Sequence, residues 1–272
     1  METFSREIEN KPTLLVPVGD IQLGTEGCMW ESFKEWFANV LSMEKEYQLL
    51  FCGMGDFIDA LRPTERHLYG SVKGSEHIKT SLNDKVAVDT EELWSVLEPT
   101  KGKWLFTLKG HHFHEYPDGG TTDTLFADRL GCPFGGDSIY GSINFKDAEQ
   151  LTIFARHGGS AASSTSSALT RLRNQMMGNT ADLNLRGHHH RIGLERITSL
   201  SLKGRQKVRA VEQDRHGVLT GGWLRGYIEG RVEEGLPAGG YAERAGLNPI
   251  PIGGVRLCII PQPKKLLVEV MM

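Results

Sequence analysis

Three patterns in the 272-residue sequence predict an α/β fold. Short apolar runs of strand length recur along much of the chain. Helical periodicity separates several of these runs; in residues 30–43, for example, Phe33, Trp36, Phe37 and Val40 recur at spacings of three and four. Five of the apolar runs end in a glycine next to an aspartate or a histidine. Such ends are typical of the ligand-binding edge of an α/β sheet, where glycine allows a sharp turn.

The predicted strands and helices alternate along the chain. Apolar runs bounded by glycine predict strands at residues 13–18, 48–52, 103–108, 151–155 and 183–185. Amphipathic periodicity predicts helices at residues 30–43, 76–98, 122–130 and 168–177. The Ser/Ala-rich stretch 160–167 is predicted to be a loop, and glycines divide short strands from Ile192 onward. With no repeat and no linker, we expect one domain over residues 1–272, with a motif-bearing part at 13–192 and a β-rich completion at 193–272.

The composition is that of an ordinary globular protein. Hydrophobic residues make up 39% and charged residues 24%, which excludes collagen-like, coiled-coil and disordered classes. Residues 1–12 are polar, and no apolar run approaches the roughly 20 residues of a membrane span. Four scattered cysteines without a C-x-x-C pair indicate reduced thiols. We therefore expect a cytoplasmic protein without a membrane partner.

Positive charge is concentrated in one part of the chain. The formal net charge is −3, but residues 156–215 contain 11 Arg and Lys against 4 Asp and Glu. A basic solvated face explains this excess. A positive field around a site for phosphate-bearing ligands explains it equally well.

The strand ends supply carboxylates and imidazoles but no thiolate. Sites of this kind suit manganese, iron, zinc, cobalt or nickel. Six or seven candidate ligands are too many for one catalytic ion and fit two ions, which together can bind a phosphate and acidify a water molecule. In an extended segment, His188 and His190 point to one side and His189 to the other. A single such aspartate or histidine is more often a turn or core residue, so the prediction depends on their order and their common position at strand ends.

Five sequence blocks carry a resemblance to a known family. They are Gly19-Asp-Ile-Gln22, Gly55-Asp-Phe-Ile-Asp59, Gly110-His-His-Phe113, His157-Gly158 and Gly187-His-His-His190. In this order they resemble the calcineurin-like metallophosphoesterases, whose pattern is D-x-H, G-D-x-x-D, G-N-H-[DE], a lone His before Gly, and G-H-x-H. The resemblance covers roughly residues 14–190. The second and fifth blocks match in full, and the first and third depart from the pattern.

The resemblance implies a set of ligands for each of two metal ions. The first ion would be held by Asp20, Gln22, Asp56 and His190. The second ion would be held by Asp56, His111, His157 and His188. His112 matches the histidine that protonates the leaving oxygen or helps to bind the phosphate. Asp59 matches an aspartate that does not bind metal itself but holds neighbouring site residues in position.

Two departures from the family pattern affect the expected metal. Gln22 stands where the family has histidine, and its harder carboxamide oxygen favours manganese or magnesium over zinc. The manganese-dependent ADP-ribose pyrophosphatase branch is similar at this position. His111 stands where asparagine normally binds metal and phosphate. A shifted alignment would use His112 and His114 with Glu115, but the unshifted one keeps Gly110 after its strand and is preferred.

The resemblance implies a four-layer αββα sandwich of two mixed sheets with helices outside. In this arrangement the early βα units supply one sheet, and the strands after Ile192 supply much of the other. The expected function is a phosphohydrolase with two divalent ions, manganese first among manganese, nickel, iron, zinc and magnesium. A phosphodiesterase or nuclease acting on DNA or RNA is favoured over a nucleotide pyrophosphatase. A catalytically decayed scaffold and a single-metal binding module are the alternatives from other classes. The oligomeric state is left open.

Four arginines are candidates for binding the phosphate of a substrate. Arg62 and Arg66 follow the second block, and Arg171 and Arg173 lie on the short helix between the fourth and fifth blocks. A guanidinium group can bind a phosphate through two parallel hydrogen bonds. Ordinary surface charge is the alternative explanation for all four.

Overall fold

Strands and helices alternate along most of the chain. The computed structural model describes residues 1–60, 76–116, 119–159, 164–203, 208–262 and 265–271. The strands are β1 Glu2–Ile8, β2 Thr13–Val18, β3 Gln48–Gly53, β4 Trp104–Thr107, β5 Ser138–Phe145, β6 Gln150–Arg156, β7 Leu183–Arg186, β8 Ile192–Lys203, β9 Arg209–Gly222, β10 Val232–Glu233, β11 Leu236–Pro237, β12 Gly253–Gly254, β13 Arg256–Gln262 and β14 Lys265–Met271. The helices are α1 Trp30–Ser42, α2 Glu76–Leu97, α3 Thr122–Leu130, α4 Thr165–Met177 and α5 Tyr241–Arg244, with single 3₁₀ turns at Met43–Lys45 and Glu98–Thr100.

The larger strands form two mixed sheets. The five-stranded sheet has the order β14-β13-β2-β3-β4, in which β2, β3 and β4 are parallel and β13 is antiparallel to both neighbours. The seven-stranded sheet has the order β1-β5-β6-β7-β9-β12, with β8 paired to β9. Within this sheet β6, β7 and β9 are parallel. The parallel strands of both sheets bring their carboxyl ends to the loops that carry the predicted ligands.

Three apolar clusters hold the elements together. One contains side chains from both sheets, including Leu15 and Leu50 from the first and Ile153 and Leu185 from the second. A second joins the other side of the five-stranded sheet to α1, α2 and α3. A third joins α4 to Leu219 of β9. All six residues of β2 are buried, which is typical of a parallel strand with both faces covered.

Most predicted elements are confirmed, but three features of the predicted fold are wrong. The strands after Ile192 supply part of the second sheet, as expected, through β8, β9 and β12, but β13 and β14 complete the first sheet instead. Strands β1 and β5 were not predicted; β1 buries only Phe4 and Ile8, so its apolar pattern is weak. The predicted loop at 160–167 ends early, since α4 begins at Thr165 with Ser164 as its cap, and residues 160–163 lie outside the described ranges.

Two further features concern the length of the helices and the state of the cysteines. In the part of the chain that the structure describes, we find no helix with the length and apolar character that a bilayer crossing requires. All four cysteines are free thiols, as their scattered positions predict, and Cys52 and Cys258 are buried.

Candidate metal centre

The loops after five strands meet at one edge of the two sheets. The loops after β2 and β3 run side by side, because Asp20 N donates to Gly55 O (2.9 Å) and Gln22 N donates to Asp56 O (3.0 Å). From the second sheet, His157 Nδ1 donates to the carbonyl of Met54 (2.6 Å). That bond leaves His157 Nε2 as the ring nitrogen that can bind a metal ion.

Four predicted ligands lie close together. Asp56, His111, His157 and His188 each offer one ligand atom, and these atoms all lie within 4.8 Å of one another. His157 Nε2 is 3.1 Å from Asp56 Oδ2, and His111 Nδ1 is 3.0 Å from His188 Nδ1. Metal–nitrogen bonds of about 2.1 Å place neighbouring ligands about 3 Å apart. We call these four residues the metal cluster; they are the set that the family resemblance implies for the second ion.

Two atoms of the metal cluster are buried without a hydrogen bond. Asp56 Oδ2 and His157 Nε2 face each other, yet neither has a hydrogen-bond partner among the described residues. A buried polar atom without a partner costs about 1–3 kcal/mol, so such atoms are rare outside functional sites. A divalent cation would satisfy both atoms, and the donor set of one carboxylate and three imidazoles suits a transition metal.

Backbone amides hold the Asp56 carboxylate in place. Its Oδ1 accepts from the N–H groups of His111 and His112, the latter at 2.9 Å. The chain can approach so closely only because position 110 is glycine. A Cβ on Gly110 would lie 2.1 Å from Asp56 Oδ1. The third sequence block therefore positions a carboxylate that belongs to the second block.

Asp20, Gln22 and His190 form a second group beside the metal cluster. Asp20 is fully buried; its Oδ2 accepts from His188 N (2.8 Å), and its Oδ1 lies 3.6 Å from His190 Nε2. Asp20 Oδ1 and His190 Nδ1 have no hydrogen-bond partner within the described ranges. Gln22 is buried, 3% exposed, and its backbone is bonded to Asp56. This backbone contact places the second group next to Asp56.

The predicted ligands adopt an uncommon backbone conformation. Seven described non-glycine residues have positive φ angles, and five of them belong to the predicted ligand set. Those five are Asp20, Gln22, Asp56, His188 and His190, with φ between 49° and 69°. Left-handed conformations of non-glycine residues cost of order 1–3 kcal/mol each and cluster at active sites and ligand clamps. The strain therefore points independently to the same residues.

His112 is bound to Asp59 next to the metal cluster. His112 Nδ1 donates to Asp59 Oδ1 at 2.6 Å, and both side chains are partly exposed. The carboxylate fixes the orientation of the ring through Nδ1. The pair occupies the positions that the sequence assigns to a proton donor and its supporting aspartate.

Burial and neighbouring charges shift the pKa values of the predicted ligands in different directions. Burial raises the pKa of Asp20. Burial also opposes ionisation of Asp56, but His157 and His112 outweigh it and hold the pKa of Asp56 well below its usual range. Burial opposes protonation of His157 too, yet Asp56 and Asp20 raise its pKa to about 9. Burial, with His157 and His111 nearby, lowers the pKa of His188 to about 3, so its ring is neutral and able to bind metal.

Several other predicted residues lie elsewhere. His114, which the shifted alignment would use, is buried outside the metal cluster with its ring edge against Tyr116, so its position favours the unshifted alignment. Arg173 is exposed and lies 3.5 Å from Glu195. Arg171 is half-buried on α4. Arg62 and Arg66 fall outside the described residues.

His189 has a structural role that the sequence analysis did not predict. It is 8% exposed, and its Nε2 accepts a hydrogen bond from Arg186 Nε (3.2 Å). Burial, together with Arg186 and Arg171, lowers the pKa of His189 to about 3. The prediction that His189 points away from the ligands assumed an extended segment, which is wrong here: β7 ends at Arg186, and His188 and His190 have left-handed φ angles of 69° and 50°. Buried Arg186 has no local sequence signal that distinguishes it from a surface arginine.

The pKa of His189 predicts acid destabilisation of the metal-free protein. A histidine with a folded pKa near 3 and an unfolded pKa near 6.5 stabilises the fold above pH 6.5, and this stability is lost as pH falls toward 3. Between pH 6.5 and 5.0 we expect His189 to remove about 2 kcal/mol from the free energy of unfolding. Urea unfolding in chelator should show that His189→Gln loses less stability than wild type over this interval. Equal losses in both proteins would contradict the assignment.

Comparisons with known proteins give no further assignment. No protein-family model matches the chain, and no curated protein matches it. The functional argument therefore depends on the geometry of the site and on the five sequence blocks.

Proposed function

We propose that the chain is a two-metal phosphohydrolase of the calcineurin-like metallophosphoesterase class. The observation that carries this proposal is the convergence of Asp56, His111, His157 and His188 from four separate strand ends within 4.8 Å. Within this class we propose a phosphodiesterase, and a nuclease in particular. The excess of positive charge in residues 156–215 supports a polyanionic substrate.

The apolar clusters support the four-layer architecture of this class. One cluster contains residues from both sheets, a second contains residues of α1, α2 and α3 with the five-stranded sheet, and a third contains residues of α4 with Leu219 of the seven-stranded sheet. We therefore propose the order helices, sheet, sheet, helix for the described elements. In this order the site lies where the carboxyl ends of parallel strands from both sheets meet.

We propose that Asp56 is shared by two metal ions. The metal cluster would hold one ion, and Asp20, Gln22, Asp56 and His190 would hold the other. The ions would supply Lewis-acid activation of water and of the phosphate oxygens. The oxygen-rich second set favours manganese, because a carboxamide oxygen is a harder ligand than imidazole. The chain itself supplies the orientation: Met54 O fixes the His157 ring, and two backbone amides fix Asp56.

His112 is the proposed proton donor to the leaving oxygen. Asp59 accepts from Nδ1 and fixes the orientation of the ring, and we assign Nε2 the proposed role of donating a proton to the leaving oxygen. The backbone N–H of His112 is bonded to the Asp56 carboxylate, which keeps the ring next to the metal cluster. Asp59 acts through His112 and is a positioning residue.

A leaving-group series tests the role of His112. A p-nitrophenolate leaving group needs little protonation, whereas a nucleoside alkoxide needs a proton donor. We expect His112→Asn to lower kcat on a dinucleotide by about 10²–10⁴-fold, with a much smaller loss on bis-(p-nitrophenyl) phosphate. Asp59→Asn should show the same asymmetry to a lesser degree. Equal losses on both substrates, or loss of bound metal, would indicate a structural or ligand role instead.

Metal titration tests the proposed function directly. Chelator-stripped protein is titrated with manganese, nickel, zinc or magnesium while hydrolysis of bis-(p-nitrophenyl) phosphate and bound metal are measured. We expect turnover to return as metal content approaches two equivalents. One equivalent without turnover would support a single-metal binding module. Bound metal without turnover on this substrate or on DNA and RNA would support a scaffold.

Gln22 favours one second candidate, a nucleotide pyrophosphatase of the ADP-ribose type. The residue is buried at the end of the first block, where that branch has a similar Asp-x-Gln. The two candidates are distinguished by comparing ADP-ribose with a dinucleotide under the same metal conditions. Preference for ADP-ribose by kcat/KM would replace the nuclease proposal while retaining the two-metal site.

A further inference from the structure

Three arginines come together on the outer face of the seven-stranded sheet. Arg156 and Arg186 end the parallel strands β6 and β7 and are partners in register, so their side chains leave the same face of the sheet. The preceding residues, Ala155 and Leu185, belong to the cluster between the sheets. The arginines therefore lie on the opposite face, toward α4.

Helix α4 brings Arg171 to the same place. Gln175 accepts from Arg186 Nη1 and donates to Leu185 O, both at 3.1 Å, so this side of α4 lies over the end of β7. Arg171 is one turn earlier on α4, on the same side of the helix as Gln175. We call Arg156, Arg171 and Arg186 the arginine group.

Arg186 is the buried member of the arginine group. Arg186 is 7% exposed, and the two groups that accept its hydrogen bonds, Gln175 and His189, are neutral. Arg156 is its partner in register on β6, and Arg171 lies one helical turn from its hydrogen-bond partner Gln175. Compared with Arg186, the exposed Arg173 and Arg196 have carboxylate partners. A buried cation close to other cations is costly unless an anion joins it.

His189 adds an unused donor next to Arg186. Because a guanidinium group only donates, His189 Nε2 accepts from Arg186, and the proton of the neutral ring is on Nδ1. Nδ1 is buried and has no hydrogen-bond partner in the residues that the structure describes. An acceptor-rich anion would satisfy this donor as well as the guanidinium groups.

The geometry points to the arginine group as a subsite for a second phosphate of the substrate, one nucleoside away from the phosphate that is cleaved. This inference rests on the proposed phosphodiesterase function. The arginine group flanks the metal cluster, since Arg156 precedes His157 and Arg186 is two residues before His188. The His189 ring lies between Arg186 and His188, with the two imidazole centroids 5.5 Å apart. Because a histidine ring lies between the two groups, a phosphate at the arginine group would be separate from the phosphate at the metal cluster.

A matched pair of substrates tests the subsite. One substrate is the p-nitrophenyl ester of thymidine 5′-phosphate, and the other is the same ester with an additional 3′-phosphate. A second pair is the p-nitrophenyl ester of thymidine 3′-phosphate without and with an additional 5′-phosphate. Guanidinium–phosphate hydrogen bonds are charge-assisted, so we expect wild type to have a KM at least about tenfold lower for the bisphosphate of one pair. Arg156→Gln and Arg171→Gln should each remove most of this preference. Arg196→Gln, which removes one charge from an exposed pair with Asp214, should retain it.

The outcomes separate the subsite from the proposed function. Equal KM values within both pairs in wild type, or retained preference in Arg156→Gln and Arg171→Gln, would overturn the subsite while leaving the phosphodiesterase intact. If no substrate is hydrolysed, the proposed function fails, and calorimetry of the metal-free protein still tests the subsite. Tighter binding of thymidine 3′,5′-bisphosphate than of thymidine 5′-monophosphate, lost in Arg156→Gln, would support it. Equal binding of the two nucleotides would overturn it.

Discussion

Asp56→Asn is expected to reduce phosphodiesterase turnover by about 10³-fold or more, because it removes the one anionic ligand proposed to touch both ions. The substitution is nearly isosteric. The asparagine oxygen can still accept from the N–H groups of His111 and His112, as Asp56 Oδ1 does. The new amide would replace Oδ2, which lies 3.1 Å from His157 Nε2. The local fold should therefore survive while the charge and the lone pairs for metal are lost.

The measurement is kcat/KM on bis-(p-nitrophenyl) phosphate at saturating manganese, with metal content determined on the same samples. Asp147→Asn is the matched control, because Asp147 has the same left-handed backbone conformation (φ 55°) but is exposed in the turn between β5 and β6. It should retain wild-type turnover. If Asp56→Asn keeps most of its turnover, the two-metal assignment is wrong.

The sequence signals that predict the candidate site are local. Each ligand of the metal cluster follows an apolar strand and adjoins a glycine, and parallel strands place such ends at a common edge. The family resemblance implies that Asp56, His111, His157 and His188 hold one ion, and the structure places one ligand atom of each within 4.8 Å of the others. Their roles as ligands remain a prediction.

The features that the sequence did not predict depend on contacts between distant segments. Strand β1 is mostly polar and becomes a strand by pairing with β5, more than a hundred residues later in the chain. Arg186 becomes a buried residue because Gln175 and His189 accept its hydrogen bonds. The division of the late strands between two sheets is likewise a matter of pairing, which the hydrophobic pattern of a single strand does not specify.

The left-handed backbone of the ligands illustrates the same limit. Aspartate tolerates positive φ better than most residues, but nothing in the sequence predicts it for Gln22 or His188. These residues lie in the loops after the strands, and their left-handed turns bring side chains from both sheets to one centre. The site is therefore strained and rich in unpaired buried atoms, and both costs should be recovered when cations bind.

Metal binding should consequently stabilise the fold. Asp20→Asn should be more stable than wild type without metal and less stable than wild type with metal. At a free metal concentration a thousand times the Kd, binding adds about 4 kcal/mol to the free energy of unfolding, or a rise in Tm of about 10 °C. Burial raises the pKa of Asp20, so ionised Asp20 destabilises the metal-free fold, and this loss develops as pH rises through that pKa. Asparagine does not titrate and can still accept from His188 N, as Asp20 Oδ2 does.

At pH 8 we therefore expect metal-free Asp20→Asn to melt above metal-free wild type, and manganese-loaded Asp20→Asn to melt below manganese-loaded wild type. Only a buried carboxylate whose partner is a cation gives this crossover. A carboxylate with a purely structural role would make the variant less stable in both states, and a tolerated surface position would change neither melting temperature. Thermal unfolding in chelator and in excess manganese distinguishes the three cases without any assay of activity. If the variant melts below wild type in chelator, Asp20 stabilises the fold through protein contacts and its assignment as a metal ligand loses this support.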